Sequence, residues 1–382
     1  MMHFSDNQNK ILLSLSNALF FCNNDIKTDD VGGLINESIR QGVSLLIADE
    51  ITIDPDNPYF EKLTELKNVA LKRNMQISWA HKYATGRLKE AGIPYVILKG
   101  LASSRYYPNP ELRLLGDVDI LIPEDKMQEA ATLFCTDGYE LTHKEHERHI
   151  VLVKKSVRIE LHRTVTGIPK GESGNAVVQY FADVFERCEE YDAMSVPCDF
   201  HHLLILLLHT AHHIKENGIG LRQLCDYAVF VNRYSKADFD RCYKEKLQKI
   251  GIYDFSLILA DASKRCFGYP DFPDYETQLS EKLVCDILQS GSFGNKNPVN
   301  IQQTLFSENG ALETASEIVF SKWKATKKYP VLLPLGYVYY GGRFILRSIF
   351  GKREKISIKQ AKKNAENRRK LYNSLRIFKG KK

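Results

Sequence analysis

Two short segments constrain this chain more than anything else in it. Residues 116–122, GDVDILI, and residues 157–162, VRIELH, change chemistry at every second position. Side chains on a strand point to opposite faces with a period of two. Val118, Ile120 and Ile122 therefore share one face of the first segment, and Asp117 and Asp119 the other. In the second segment Val157, Ile159 and Leu161 oppose Arg158, Glu160 and His162. If both strands lie in one sheet, the apolar faces meet a core while three carboxylates gather over the opposite surface.

The surrounding chain supplies that sheet. IPYVIL reads as a buried strand, and LASSRYY as a short helix halted by PNP. PEDKMQEAATLFCTDG predicts a helix, with Pro123 at its start, acidic residues in its first turn and Gly138 after its end. YELTH, RHIVLVKK and VRIELHR predict three strands, the last two joined by a tight hairpin at Lys155 and Ser156. Residues 6 to about 50 and about 59 to 91 carry apolar residues at helical spacing, with Gly92 as a stop. After GIPKGESG the chain returns to helix, most clearly in HHLLILLLHTAHHI and LRQLCDYAVFVNRY, and helical signals run to about 290. SGSFGNKNPVN reads as a loop before a last helical region. The expected fold class is α+β, a mixed β-sheet core with helical N- and C-terminal regions. The expected divisions are a helical region over 1–75, the α+β core over 76–195, a helical region over 196–350 and a basic tail over 351–382.

Charge and cysteines narrow the class. The net charge is +6, but residues 351–382 hold thirteen Lys and Arg against two Glu, a local balance of +11 that leaves −5 for the rest. The basic character belongs to the tail. MMHFSDNQNK is polar, and no apolar run reaches the length of a membrane span, so a cytoplasmic protein is expected. The eight cysteines, Cys22, Cys135, Cys188, Cys198, Cys225, Cys242, Cys266 and Cys285, include no CxxC pair. Neither a zinc ribbon nor a redox motif is signalled, and reduced thiols serving mostly as core filler are expected.

Two aspartates this close raise each other's pKa, and a divalent cation removes the conflict. Mg²⁺ takes oxygen ligands, usually one or two carboxylates, and leaves positions for water and phosphate. Two such ions about 3.5–4 Å apart can clamp the attacking and leaving oxygens of a phosphoryl displacement. A DxD on a strand also serves as a solvated face; its company here points to metal. VILKG ends a strand in Lys99 and Gly100, where backbone N–H groups can approach a phosphate and Lys99 can meet a phosphate or the metal-bound carboxylates. The segment is not a Walker loop, since GxxxxGK[ST] is absent.

Together, Leu98-Lys99-Gly100, Asp117-Val118-Asp119 and Glu160 resemble the signature of the nucleotidyltransferase superfamily that includes DNA polymerase β. The chain is more closely similar to a bacterial branch described as uncharacterised nucleotidyltransferases: LKG at 98–100, YYPNPELR at 106–113, GDVD at 116–119, ELH at 160–162, HTAHH at 209–213 and RQLCD at 222–226. The resemblance implies Mg²⁺-dependent transfer of a nucleoside monophosphate from an NTP to an acceptor, with release of pyrophosphate. Asp117, Asp119 and Glu160 would hold two Mg²⁺ ions, and Glu160 would help deprotonate the attacking hydroxyl. Lys99, Gly100 and Arg113 would bind the triphosphate. Leu101 stands where the family pattern has Gly or Ser, so Ser103 or Ser104 would supply the missing hydroxyl; Arg163 replaces an aromatic residue. The acceptor, whether small molecule, saccharide, protein or RNA end, is not implied. A catalytically inactive binding or scaffold protein on the same fold is the alternative, and a toxin-like enzyme acting on RNA a third reading.

The remaining signals are weaker. His209 and His213 share one helix face at i, i+4, with His202 further back, a spacing that suits plain helix packing, a pocket wall or a zinc site. His162, Arg222 and Asp226 are further candidates for the pocket, Asp226 as a group that orients a histidine or helps cap the pocket. His143, His146 and His149 fall near a hairpin and are expected to be exposed. YPVLLPLGYVYYGGRFILRSIFGKREK and the basic tail, residues 330–382, would suit a helix packed on the body or a peripheral contact with anionic membrane; nucleic acid stays open.

Overall fold

The computed structural model describes residues 4–143, 149–216, 218–291 and, beyond these, 319, 323, 326, 332–337, 339, 366–367 and 369–379. His146, the 292–300 part of the expected loop and most of residues 330–382 lie outside the described residues. An α+β fold is observed, with a five-stranded mixed sheet among helices.

Three helices open the chain, α1 (Asp6–Phe20), α2 (Val31–Gln41) and α3 (Ser44–Ile47), followed by the long α4 (Phe60–Glu90). Strand β1 (Val96–Ile97) leads into the short α5 (Leu101–Ser104), then β2 (Val118–Leu121) and α6 (Met127–Thr136). Strands β3 (Glu140–His143), β4 (His149–Lys154) and β5 (Val157–His162) complete the sheet. Its order is β1-β2-β5-β4-β3; β2 and β5 run parallel, and the other neighbours antiparallel.

The period-two reading of the strands holds. Val118, Ile120 and Ile122 pack with Ile159 and Leu161 into one apolar cluster, closed by Ile77, Ala80, Ala84 and Leu88 of α4 and by Ala130 and Phe134 of α6. The apolar residues on the opposite face, among them Val96, Leu98 and Leu121, join a larger core made with the N-terminal and C-terminal helices. Sheet register places Asp119 beside Glu160, and Leu121 beside His162. Asp119 and Glu160 are thus carried at the edge of a second core, while Asp117 stays exposed.

One expectation is corrected. Helix α7 (Glu172–Phe181) does follow GIPKGESG, but a hairpin of β6 (Cys188–Tyr191) and β7 (Met194–Pro197) interrupts the expected run of helix. Its two-residue loop, Asp192 and Ala193, has positive φ at both positions, 51° and 62°. Turns of this kind usually carry Asn-Gly or Asp-Gly; Ala in place of Gly hides the signal. Met194 and Val196 pack on Ile97, Leu101 and Ala102, which buttresses the Lys99-Gly100 turn from behind. Then come α8 (Asp199–Glu216), α9 (Leu221–Val231), α10 (Lys236–Ile250), α11 (Tyr253–Phe267) and α12 (Thr277–Ser290). Gly167, at φ 89°, lets the loop after β5 press on α8: a Cβ there would lie 2.4 Å from the Leu208 carbonyl oxygen.

Candidate active site

Asp119 is the centre of the site. It is fixed by the β2–β5 ladder, and its own carbonyl accepts from the Leu98 amide at 3.0 Å, which ties β1 and the following turn to it. The Lys99 Nζ lies 3.0 Å from Asp119 Oδ1, and His162 Nε2 lies 2.9 Å from the same oxygen. His162 Nε2 is also 3.4 Å from Glu160 Oε2. Both neighbours of that nitrogen accept hydrogen bonds, so Nε2 carries the proton. The other Glu160 oxygen, Oε1, accepts from Arg158 Nε at 2.7 Å, and Arg158 Nε stands 3.8 Å from Asp117 Oδ2.

Charge and burial oppose each other here. Burial alone would push the Asp119 carboxyl up; the Lys99 ammonium and the His162 hydrogen bond overcome it and hold Asp119 well below the usual carboxylate range. At Glu160 burial is likewise outweighed, first by the His162 hydrogen bond, and the carboxyl stays below its ordinary value. Burial would lower His162, but its bonds to Asp119 and Glu160 raise it. Asp117 has no such partner close enough: burial, then the charges of Asp119 and Glu160, raise its carboxyl.

The facing ligand atoms of Asp119, Glu160 and His162 all lie within 4.8 Å of one another. Two carboxylates and an imidazole are a donor set that suits a divalent cation, and the attraction of Lys99 and of the His162 proton to the same oxygen marks where positive charge is favoured. His162, not Asp117, is the third member of this tight group. Asp117 precedes the first paired residue of β2, so the ladder does not hold it, and it approaches through Arg158.

The Lys99-Gly100 turn needs its glycine. Gly100 has φ 60° and ψ −99°, a conformation strained for any residue with a Cβ. Ser103 and Ser104 are buried behind it; the Ser104 hydroxyl bonds the Leu101 carbonyl at 2.8 Å, while the Ser103 hydroxyl has no hydrogen-bond partner among the described residues. Arg113 lies in a buried fork with Asp226: Nε to Oδ1 at 2.8 Å and Nη2 to Oδ2 at 2.6 Å, with the Tyr107 hydroxyl on Oδ1 at 2.7 Å. Its Nη1 points toward the space a Cβ on Gly100 would take, 3.9 Å away. Asp226 thus orients an arginine rather than a histidine, the first of the two roles expected from the sequence.

Helices α8 and α9 face this group. The His209 and His213 rings meet edge to face at 4.3 Å, and both are kept neutral, by burial first and by the nearby Lys99 among other charges. Arg222 is depressed by burial and then by Arg113, within the field of Asp226 and Asp117. His202 is buried elsewhere, between the Tyr106 and Phe230 rings.

Two residues escaped the sequence reading. Asn74 of α4 donates to the carbonyls of Glu111 and Arg113, at 2.7 and 2.8 Å, and accepts from the Leu115 amide at 2.8 Å. It pins the segment that leads into Asp117. His149, expected exposed, is half-buried with its ring 5.3 Å from that of His162. Strand pairing of His149 with His162 was the signal for it; nothing in the sequence singles out Asn74.

A family model described as an uncharacterised nucleotidyltransferase matches residues 27–268, which takes in the whole sheet and α2 through α11. The chain belongs to that family. Nucleotidyl transfer is therefore the general activity that this membership supports. No curated protein matches the chain. Among the described residues of this family member, no helix is long and apolar enough to cross a membrane.

Proposed function

We propose that the chain is a Mg²⁺-dependent nucleotidyltransferase that moves a nucleoside monophosphate from an NTP to the hydroxyl of an acceptor, with release of pyrophosphate. The observation that carries this reading is the register of two parallel strands. Because β2 and β5 pair Asp119 with Glu160, two carboxylates and His162 converge within 4.8 Å beside a Lys-Gly turn.

Asp119 and Glu160 would hold the cation, joined by His162 once Nε2 gives up the proton it now shares with them, with Asp117 as the further ligand if two ions bind. Bound magnesium would neutralise triphosphate oxygens and make the phosphorus a better electrophile. Lys99 would turn from Asp119 to the triphosphate, a move its flexible stem allows. Gly100 would let backbone amides approach the phosphates, with the unpartnered Ser103 hydroxyl behind it and Ser104 less free to help. Arg113, with Asp226 setting its plane, would offer the second N–H of Nη1, whose first donates to the Leu114 carbonyl at 3.1 Å. Glu160 would take the proton of the attacking hydroxyl. His209, His213 and Arg222 would form the facing wall of the pocket.

The test is label transfer. The full chain is incubated with each α-³²P-labelled NTP, Mg²⁺ and a cell extract. Label is expected on an acceptor from at least one NTP; it should vanish with EDTA and return with added Mg²⁺. Asp119→Asn is expected to lower the rate by about 100-fold or more, the scale seen when groups that stabilise transition-state charge are removed. Equal labelling by wild type and Asp119→Asn would defeat the proposal. A folded chain that transfers no label from any NTP would favour the inactive scaffold.

A further inference from the structure

A second constellation stands apart from the carboxylates and plays no part in the reaction above. Cys198 precedes the first residue of α8, and its sulfur lies 3.3 Å from Nδ1 of His201, one turn on. Nε2 of the same ring is 2.8 Å from the Tyr180 carbonyl oxygen and 3.1 Å from Oδ1 of Asp183. Both of these neighbours accept hydrogen bonds. Nε2 must therefore carry the proton, and the Nδ1 lone pair is aimed at the sulfur. The ring is fully buried and clamped, with Phe181 stacked at 5.3 Å and Phe200 at 5.9 Å, whereas Cys198 is only half-buried. A nucleophile at the surface, a base behind it and a carboxylate orienting the base is the arrangement that activates a thiol.

We propose that Cys198 is a reactive thiol that exchanges with low-molecular-weight disulfides, a modification site at the head of α8. His201 Nδ1 takes the thiol proton, and the thiolate attacks one sulfur of the disulfide. A Cys198–S–S–R bond forms and the R–S–S–R bond breaks. The leaving thiolate recovers the proton from His201, so one disulfide and one thiol give one mixed disulfide and one thiol.

Electrostatics supports the geometry. Burial would raise the Cys198 thiol, but the His201 hydrogen bond outweighs it and leaves the thiol below its ordinary value. Cys225, Cys266 and Cys285 are instead pushed up, by burial first. The charged groups around the pair are Asp183 and Arg187 after α7, Asp199 next to Cys198 with its carboxylate paired to Arg233 and bonded by Tyr106 and Tyr234, Arg105 on the Pro197 carbonyl, and Lys246 and Lys249 of α10 over the Phe200 and Tyr180 rings. Among the described residues, Cys198 is the cysteine set against an imidazole; Cys135 and Cys242 are more exposed.

The experiment treats the full-length chain with oxidised glutathione at pH 6.5 and reads each of the eight cysteines by peptide mass spectrometry. Cys198 is expected to form the mixed disulfide first, ahead of the more exposed Cys135 and Cys242. His201→Gln is expected to slow Cys198 by about tenfold or more at pH 6.5, with the gap closing at pH 9, where an ordinary thiol ionises unaided. Asp183→Asn, at a half-exposed carboxylate whose loss leaves the core intact, gives the same direction with a smaller effect. Cys198 reacting no faster than Cys135 or Cys242 in the wild-type chain would overturn the proposal, and that comparison needs no variant to fold. So would a Cys198 rate unchanged by both substitutions.

Discussion

Arg113 and Asp226 are exposed by only 5% and 6%, and each satisfies the other through two hydrogen bonds. Removing one charge strands the other in a desolvated site, which costs about 3–5 kcal/mol. Asp226→Ala is expected to lose that much stability in urea denaturation, whereas loss of a surface pair such as Lys126–Glu129 should change it by no more than about 1 kcal/mol. His202 sets a pH dependence. Burial holds its pKa down at about 3, against an unfolded value near 6.5. The unfolded chain thus binds more protons between these values, so the stability from His202 is complete above about pH 6.5 and falls as pH drops toward 3, by about 1.4 kcal/mol per unit. Neither ring nitrogen has a hydrogen-bond partner among the described residues, so His202→Phe is expected to hold its thermal midpoint at pH 7 and to flatten its decline between pH 6.5 and 5. The carboxylates and His162 were readable as residues, because strand alternation puts them on one face. Lys99 was readable too, as a cation able to meet the carboxylates, and it lies on Asp119; Arg113 on Asp226 was not, since that pair depends on how helices and turns meet in space. So does the His201 base beside Cys198, which no Cys spacing announces.

Elements follow the same division. The long α4, the three strands from Glu140 to His162 and helices α8 and α9 carry apolar residues at their own period, and each was legible. Strand β1 is shorter than IPYVIL suggests, since only Val96 and Ile97 pair with β2. The β6–β7 hairpin was missed because its loop breaks the usual turn chemistry. A left-handed Ala costs about 1 kcal/mol relative to Gly. Ala193→Gly, at φ 62°, is therefore expected to stabilise the chain by up to about 1 kcal/mol, read as a higher urea midpoint with unchanged slope. A lower midpoint would mean that the Ala193 side chain makes packing contacts worth more than the backbone relief.

At the scale of the whole molecule, the sheet separates two jobs. One face packs on α4 and α6 and needs only apolar residues. The other brings Asp119, Glu160 and His162 against the Lys99-Gly100 turn, with α8 and α9 adding His209, His213 and Arg222. Helices distant in sequence thus complete a site whose acidic centre comes from a stretch of 44 residues, Asp117 to Glu160. Alternation along strands could reveal that centre; His209, His213 and Arg222 could be named as candidates for the wall across from it, but their placement is set by packing of helix on sheet, which a single sequence does not encode locally. The most direct measurement is Mn²⁺ binding followed by electron paramagnetic resonance, with and without a non-hydrolysable NTP. Wild type is expected to bind Mn²⁺ more tightly when the nucleotide is present, and Asp119→Asn and Glu160→Gln to weaken that binding by tenfold or more, about 1.4 kcal/mol. Wild-type affinity in both variants would mean that these acids chelate no cation.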